Sequence, residues 1–124
     1  MKYELEEPLN DGLLQYGTIV TKRDDKTKKK IGEDFQTTGS LYFSFMNINA
    51  KYDVYKVGSI QSVDIKVKCY YAPNLTKAHK ILLRGQVYEV EQLDADRERK
   101  YLYLYLRKVG EWDGNHLIQA TEHS

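Results

Sequence analysis

The chain has 124 residues, 41% of them hydrophobic and 30% charged, with 19 basic and 18 acidic side chains. A chain of this length folds as one domain, and its balanced charge creates no global field that would attract nucleic acid or an acidic membrane. No apolar run is long enough to span a bilayer, and the single cysteine, Cys69, excludes an internal disulfide and fits a reducing cytoplasm.

The first half of the chain predicts two strands and a hairpin. Residues 1–13 are acidic and end near a turn signal, so we expect an N-terminal arm there. A first strand is predicted over 14–23, followed by a protruding, basic hairpin tip over 24–33. The second strand is predicted over 35–47, with a bulge or bend at Gly39.

The middle of the chain is harder to interpret. The segment from Asn47 to Ile60 alternates poorly, and it fits either a short helix or a long loop. Clear alternation returns over 61–71, which predicts a third strand that ends before Pro73. A polar connector over 76–80 and a short apolar run ending at Arg84-Gly85 then lead into the last hairpin.

The last hairpin has the most regular pattern in the chain. After Lys100, leucines and tyrosines alternate perfectly. The leucines are Leu102, Leu104 and Leu106, and the tyrosines are Tyr101, Tyr103 and Tyr105. Since successive side chains of a strand point to opposite faces, we expect buried leucines and a half-wet tyrosine face suited to contacts.

These elements predict an all-β fold, a small antiparallel β-barrel or sandwich with a long loop between its second and third strands. The barrel is expected over 14–110, and 111–124 is expected to be a loose C-terminal tail. Its core is predicted from the apolar faces of the strands: Ile19, Leu41, Phe43, Val63, Ile65, Val67, Val90, Leu102, Leu104 and Leu106.

Catalytic, metal and cofactor chemistry find little support in the sequence. The nitrogen and sulfur ligands are Cys69, His79, His116 and His123, and they show no spacing typical of a metal site. Asp94 and Asp96 could form an acid–base pair, but carboxylates in a charged turn are more often solvated surface groups. We therefore expect no cofactor and no enzyme activity.

A dense basic cluster lies near the predicted hairpin tip. It consists of Lys22, Arg23, Lys26, Lys28, Lys29 and Lys30. With surface tyrosines, these cations could form a platform for single-stranded nucleic acid on an OB-like barrel, and we keep this alternative open. A solvated loop, or a docking point for an acidic partner, is the more common explanation of such a cluster.

Taken in order, several segments resemble the phage head–tail joining family, also called head closure or stopper proteins. The segment 17–23 is similar to the basic-ended first strand of that family. The segment 63–73 is similar to its "h-x-I-x-h-R-Y-x-P" strand, in which h is an apolar residue. The polar hairpin is matched by Asp25, Gly32 and Phe35, and the last hairpin by Gly85, Tyr88, Val90, Asp96, Arg97, Leu102 and Leu104. The family's tryptophan-alanine pair is replaced by Leu41-Tyr42.

The resemblance implies a structural virion protein at the head–tail interface of a tailed phage. Such a protein is made as a monomer in the host cytoplasm and joins a ring, usually a dodecamer, beneath the portal and adaptor proteins. There it retains packaged double-stranded DNA through non-specific contacts and offers a face to tail proteins. No membrane contact is implied.

Two sets of residues are candidate sites under this hypothesis. The docking contacts are predicted to be Lys22, Arg23, Lys28, Lys29, Lys30, Tyr101 and Tyr103. The long segment is predicted to be a channel gate, formed by Asn47, Asn49, Lys51, Tyr52, Tyr55, Lys56 and Gly58.

Overall fold

A computed structural model of the chain describes residues 9–48 and 63–119. As predicted, the fold is all-β and antiparallel. The strands are β1 (Gly12–Arg23), β2 (Lys30–Met46), β3 (Ile65–Tyr70), β4 (Lys80–Leu83), β5 (Gln86–Ala95), β6 (Tyr101–Trp112) and β7 (Leu117–Gln119). Within the described ranges, no helix could cross a membrane.

Six of the strands form two three-stranded units that join along both edges. β1, β2 and β3 follow one another in the sheet, as do β4, β5 and β6. One seam pairs β1 with β4, from Gln15–Leu82 to Gly17–Lys80. The other seam pairs β3 with β6, from Ile65–Leu106 to Tyr70–Tyr101. The hydrogen bonds therefore run around a closed ring of six strands, here called the strand ring, and β7 is added outside it on β6.

The β1–β2 hairpin is longer than the strand ring needs. β1 pairs with β4 only as far as Gly17, and β2 pairs with β3 only from Phe43 onward. We call the remaining part, residues 18–37, the hairpin arm. Its tip is a tight turn in which the Asp24 carboxylate accepts the N–H groups of Lys26 and Thr27 at 2.8 and 3.0 Å. These backbone hydrogen bonds lower the pKa of Asp24.

A bulge separates the hairpin arm from the strand ring. Tyr16 pairs with Gly39 and Gly17 pairs with Thr37, so Thr38 is the extra residue. The bulge expected at Gly39 is thus confirmed, and its extra residue is the one immediately before Gly39. The apolar run before Arg84-Gly85 is itself a strand, β4, and both turn residues have positive φ (51° and 74°), as a two-residue hairpin requires.

The expectation of a loose C-terminal tail after residue 110 was wrong for the residues up to Gln119. β6 continues to Trp112, and β7 pairs with it from Gly110–Gln119 to Trp112–Leu117. The turn between the two strands is held by Asp113, whose carboxylate accepts N–H groups at 2.6–2.8 Å. The same region supports the hairpin arm, because Glu33 donates its N–H to the Asn115 carbonyl and accepts the Leu117 N–H.

The core fills the strand ring, and most of the predicted core residues lie in it. The buried ones are Phe43, Val63, Val67, Val90, Leu102, Leu104 and Leu106, and Leu41 and Ile65 are partly buried against them. The expectation for Ile19 was wrong: it is half-buried on the hairpin arm, beyond the strands that enclose the core. Burial of Cys69 raises the pKa of its thiol to about 12, as expected of a structural rather than a reactive cysteine.

Candidate interaction surface

A continuous set of aromatic and basic side chains covers the outside of the strand ring at β3 and β6. Because Val67 and Leu104 point into the core, their neighbours Lys66, Lys68 and Tyr103 point outward. The register places these residues side by side: Lys66 is opposite Tyr105, Lys68 is opposite Tyr103, and Tyr70 is opposite Tyr101. Lysines of one strand thus alternate with tyrosines of the next.

The lysine ammonium groups lie over the tyrosine rings. Lys68 Nζ is 4.2 Å from the ring centroid of Tyr101 and 6.0 Å from that of Tyr103. Lys66 Nζ is 5.6 Å from the centroid of Tyr103 and 5.2 Å from that of Tyr105. Each cation–π contact at a partly exposed site stabilises by about 0.5–1 kcal/mol. The contacts therefore hold positive charge close to this face and restrict the rings.

An exposed apolar row borders the lysine–tyrosine contacts. Tyr70 stacks on Tyr101, with ring centroids 5.8 Å apart and planes inclined by 26°. Tyr42 lies one step past the Phe43–Cys69 pair, which places it beside Tyr70, and its partner on β1 is Leu13. Leu13, Tyr42 and Tyr70 are 49%, 59% and 43% exposed. A contiguous exposed apolar row is typical of an interaction site, whereas single exposed apolar residues are not.

We call this surface the tyrosine–lysine face. It consists of Leu13, Tyr42, Lys66, Lys68, Tyr70, Tyr101 and Tyr103. Two of the predicted docking contacts, Tyr101 and Tyr103, are half-buried members of it. Tyr105 lies on the same side of the sheet, opposite Lys66, but the expectation that it is half-wet was wrong, because its side chain is only 1% exposed.

The basic docking contacts lie far from this face. Lys22, Arg23 and Lys28–Lys30 are exposed at the end of the hairpin arm. Leu13 and Arg23 are ten residues apart on one strand, which corresponds to about 33 Å. Arg23 also donates to the Lys28 carbonyl at 3.1 Å, and Lys22 pairs with Asp34 at 3.3 Å. The two predicted sets of contacts therefore form two separate surfaces.

Of the seven predicted gate residues, one lies within the described ranges. Asn47 is exposed immediately after β2. The other six residues, Asn49, Lys51, Tyr52, Tyr55, Lys56 and Gly58, lie outside the described residues.

The two aspartates considered for acid–base chemistry have different positions. Asp94 is in β5, opposite Tyr103. Asp96 organises the β5–β6 turn, because one of its carboxylate oxygens accepts the N–H groups of Lys100 and Tyr101 at 2.7 and 3.1 Å. Across 9–48 and 63–119, no group of three His, Cys, Asp or Glu residues could hold a metal ion.

A concave region lies between β7 and the outer face of β4–β6. It is a cleft of about 350 Å³ lined by Lys80, Glu89 and Arg107 among others. Arg107 bonds to Glu91 at 2.9 Å and also to Glu89, and both interactions raise the pKa of its guanidinium group. Lys80 pairs with Glu89 at 3.7 Å. Lys108 also lines the cleft and pairs with Glu111 at 3.8 Å, so each lining cation already faces a carboxylate and is not free to select an ionic ligand.

The signal for the tyrosine–lysine face was present but incomplete in the sequence. Lys66, Lys68 and Tyr70 alternate with the buried Val67 and Cys69, so their outward orientation follows from the pattern. Their position beside Tyr101 and Tyr103 follows only from the β3–β6 register, which the sequence does not specify.

Comparison with known proteins supports the fold and gives no information on the function. The chain matches no protein-family model and no curated protein. It is similar to the solution structure of the protein SF1141 from Shigella flexneri 2a, with a TM-score of 0.54 and 18% identity over 77% of this chain and 89% of that protein. At this identity the likeness shows the all-β fold alone.

Proposed function

We propose that this protein is a structural component of a tailed phage particle, a head closure protein at the head–tail interface. The observation that carries the proposal is the tyrosine–lysine face, where an exposed apolar row adjoins clustered cations on the strand ring. Tyrosine-rich surfaces of this kind suit contacts that form during assembly, because the side chains tolerate water before the partner arrives. The resemblance of residues 14–110 to the head–tail joining family supports the same function.

The separation of the two candidate surfaces fits a component with several neighbours. The tyrosine–lysine face lies near the start of β1, and the basic tip of the hairpin arm lies at its far end. In this proposal the free chain is a monomer. In the particle, copies form a ring, a dodecamer in related systems, between portal or adaptor proteins and the tail. The lysines at the arm tip contact a neighbouring protein or packaged DNA without reading its sequence.

Deletion of the gene from the phage that carries it tests the proposal. We expect heads that lose DNA or lack tails, visible by electron microscopy, and rescue by the wild-type gene. A Tyr42→Ser/Tyr70→Ser gene should rescue poorly. A matched control is Lys77→Ala, which changes an exposed residue in the β3–β4 connection and should rescue fully. Normal infectious particles from the deletion would rule out the proposed function.

The lysine–tyrosine contacts also support a second candidate, a single-stranded nucleic-acid-binding module. Aromatic faces and lysines along one surface are the components of such sites. Binding of a labelled oligo-dT strand, measured by fluorescence anisotropy at about 50 and 200 mM salt, tests this candidate. Salt-dependent binding that is lost in a Lys66→Ala/Lys68→Ala variant would favour it over the assembly function.

A further inference from the structure

We infer that the tyrosine–lysine face binds an extended acidic segment of a partner protein, in which a carboxylate meets Lys68 and an apolar side chain covers Tyr42 and Tyr70. The inference deepens the proposed function, because it specifies the chemistry of the partner at that face. It rests on three observations: the environment of Lys68, the spacing of the apolar row, and the limited positive charge of the face.

Lys68 carries a charge that its surroundings attract but do not neutralise. Its ammonium group lies 4.2 Å from the centroid of the Tyr101 ring, and it forms no ion pair with any described residue. An aromatic ring attracts a cation through its quadrupole and leaves the net charge in place. A carboxylate that reached the ammonium group would add a charge-assisted hydrogen bond in a site where the lysine is already oriented.

The spacing of the face matches an extended peptide. Lys68 and Tyr70 are two residues apart on β3 and point the same way, so their positions differ by about 6.7 Å along the strand. Side chains two residues apart in an extended partner have the same separation. Tyr42 lies beside Tyr70 on the neighbouring strand, and Leu13 continues the row. A partner with one acidic and one apolar residue, separated by a single residue, can therefore contact both features at once.

The charges and rings of the face favour a protein over nucleic acid. The face has two lysines, and Asp94 lies on the same side of the sheet, opposite Tyr103. With this carboxylate the net positive charge of the face is small; a phosphate backbone gains most from several cations in line, whereas one carboxylate of a peptide needs a single ammonium group. The ring of Tyr101 is already covered by Lys68 and stacked on Tyr70, which leaves few free ring faces for bases.

Selection from a random-peptide display library on the immobilised full-length protein tests the inference. We expect enriched peptides with an acidic residue two positions from an apolar one. For a synthetic peptide of this kind, Lys68→Glu and Tyr70→Ser should each weaken binding about tenfold or more in fluorescence anisotropy. The matched control Lys29→Glu makes the same charge reversal on the hairpin arm and should leave the affinity unchanged. A peptide with lysine in place of its acidic residue should bind Lys68→Glu better than the wild type.

Several results would overturn the inference. These are no enriched peptide, enrichment without acidic residues, or equal binding to the Lys68→Glu and Tyr70→Ser variants when circular dichroism shows both to be folded. Displacement of the peptide by oligo-dT would show a nucleic-acid surface instead. Tighter binding after neutralising Glu4, Glu6 and Glu7 to glutamine would show that the chain's own acidic segment takes the place of a partner. Because no particle is used, failure of the head closure proposal would leave this result standing.

Discussion

The aromatic ring of Tyr16 lies against the α-carbon of Gly39, its partner across the β1–β2 ladder. A Cβ atom at residue 39 would be 2.5 Å from the Tyr16 hydroxyl oxygen and 2.7 Å from Cζ. The hydroxyl then donates to Asn74 Oδ1 at 2.8 Å, and the ring meets His79 edge-on. The missing side chain at Gly39 thus allows Tyr16 to connect the hairpin to the β3–β4 connection.

Gly39→Ala should therefore destabilise the protein by about 1–3 kcal/mol, because the added methyl group displaces Tyr16. Tyr16→Phe keeps the ring and should lose about 1 kcal/mol with its hydrogen bond. Urea unfolding followed by circular dichroism measures both. Ser40→Ala changes the exposed neighbouring residue and is the control; an equal loss there would show that Tyr16 and Gly39 are not specially coupled.

Leu104→Ala should lower the free energy of unfolding by about 2–5 kcal/mol, because Leu104 is fully buried between the strands of the ring and its loss leaves a cavity. Ile19→Ala, on the half-exposed hairpin arm, should cost about 1 kcal/mol or less. Chemical denaturation of both variants tests the assignment. Similar losses would mean that the arm belongs to the same cooperative core.

Cys69 should not react with a thiol reagent in the native protein at pH 8, because burial raises its pKa to about 12 from an ordinary value of 9.0. Labelling with Ellman's reagent should follow global unfolding in urea. The raised pKa also makes the free energy of unfolding depend on pH. The contribution of the buried, protonated thiol is complete below pH 9 and is lost as the pH rises towards 12. Cys69→Ala should lack that alkaline loss. Rapid labelling of the native protein would contradict the burial of the thiol.

Asp96→Ala should destabilise the protein by about 1 kcal/mol, since two backbone N–H groups of the β5–β6 turn lose their acceptor. Asp96→Asn retains a carbonyl oxygen and should lose less. The control is Glu98→Ala in the same turn, whose ion pair with Lys100 is solvent-exposed and contributes little. Thermal unfolding ranks the three variants. An unchanged unfolding midpoint for Asp96→Ala would show that Asp96 does not stabilise the turn.

Alternation in the sequence predicted the fold well wherever a strand was long and had one apolar face. β6 is such a strand, and its buried Leu102, Leu104 and Leu106 were identified from their spacing alone. β4 and β7 were missed as strands because four and three residues are too few to show a period. Tyr105 was misplaced because alternation assigns a side chain to a face but does not determine what covers that face.

The candidate surface could be predicted only in part, for a related reason. Tyr101 and Tyr103 were proposed as contacts from one strand, but their lysine neighbours come from β3, more than thirty residues earlier in the chain. Which strands become neighbours depends on how the two three-stranded units close. Closure is a property of the whole fold and has no local signature.

The two seams of the strand ring are unequal, and this sets how the native state opens. The β1–β4 ladder has three residue pairs, whereas the β3–β6 ladder has six. Transient opening of the native state should therefore begin between β1 and β4, and amide hydrogens of that ladder should exchange with solvent faster than those of β3 and β6. Such opening would leave the tyrosine–lysine face intact, because the four strands that carry it, β1, β2, β3 and β6, stay paired with one another while β1 separates from β4.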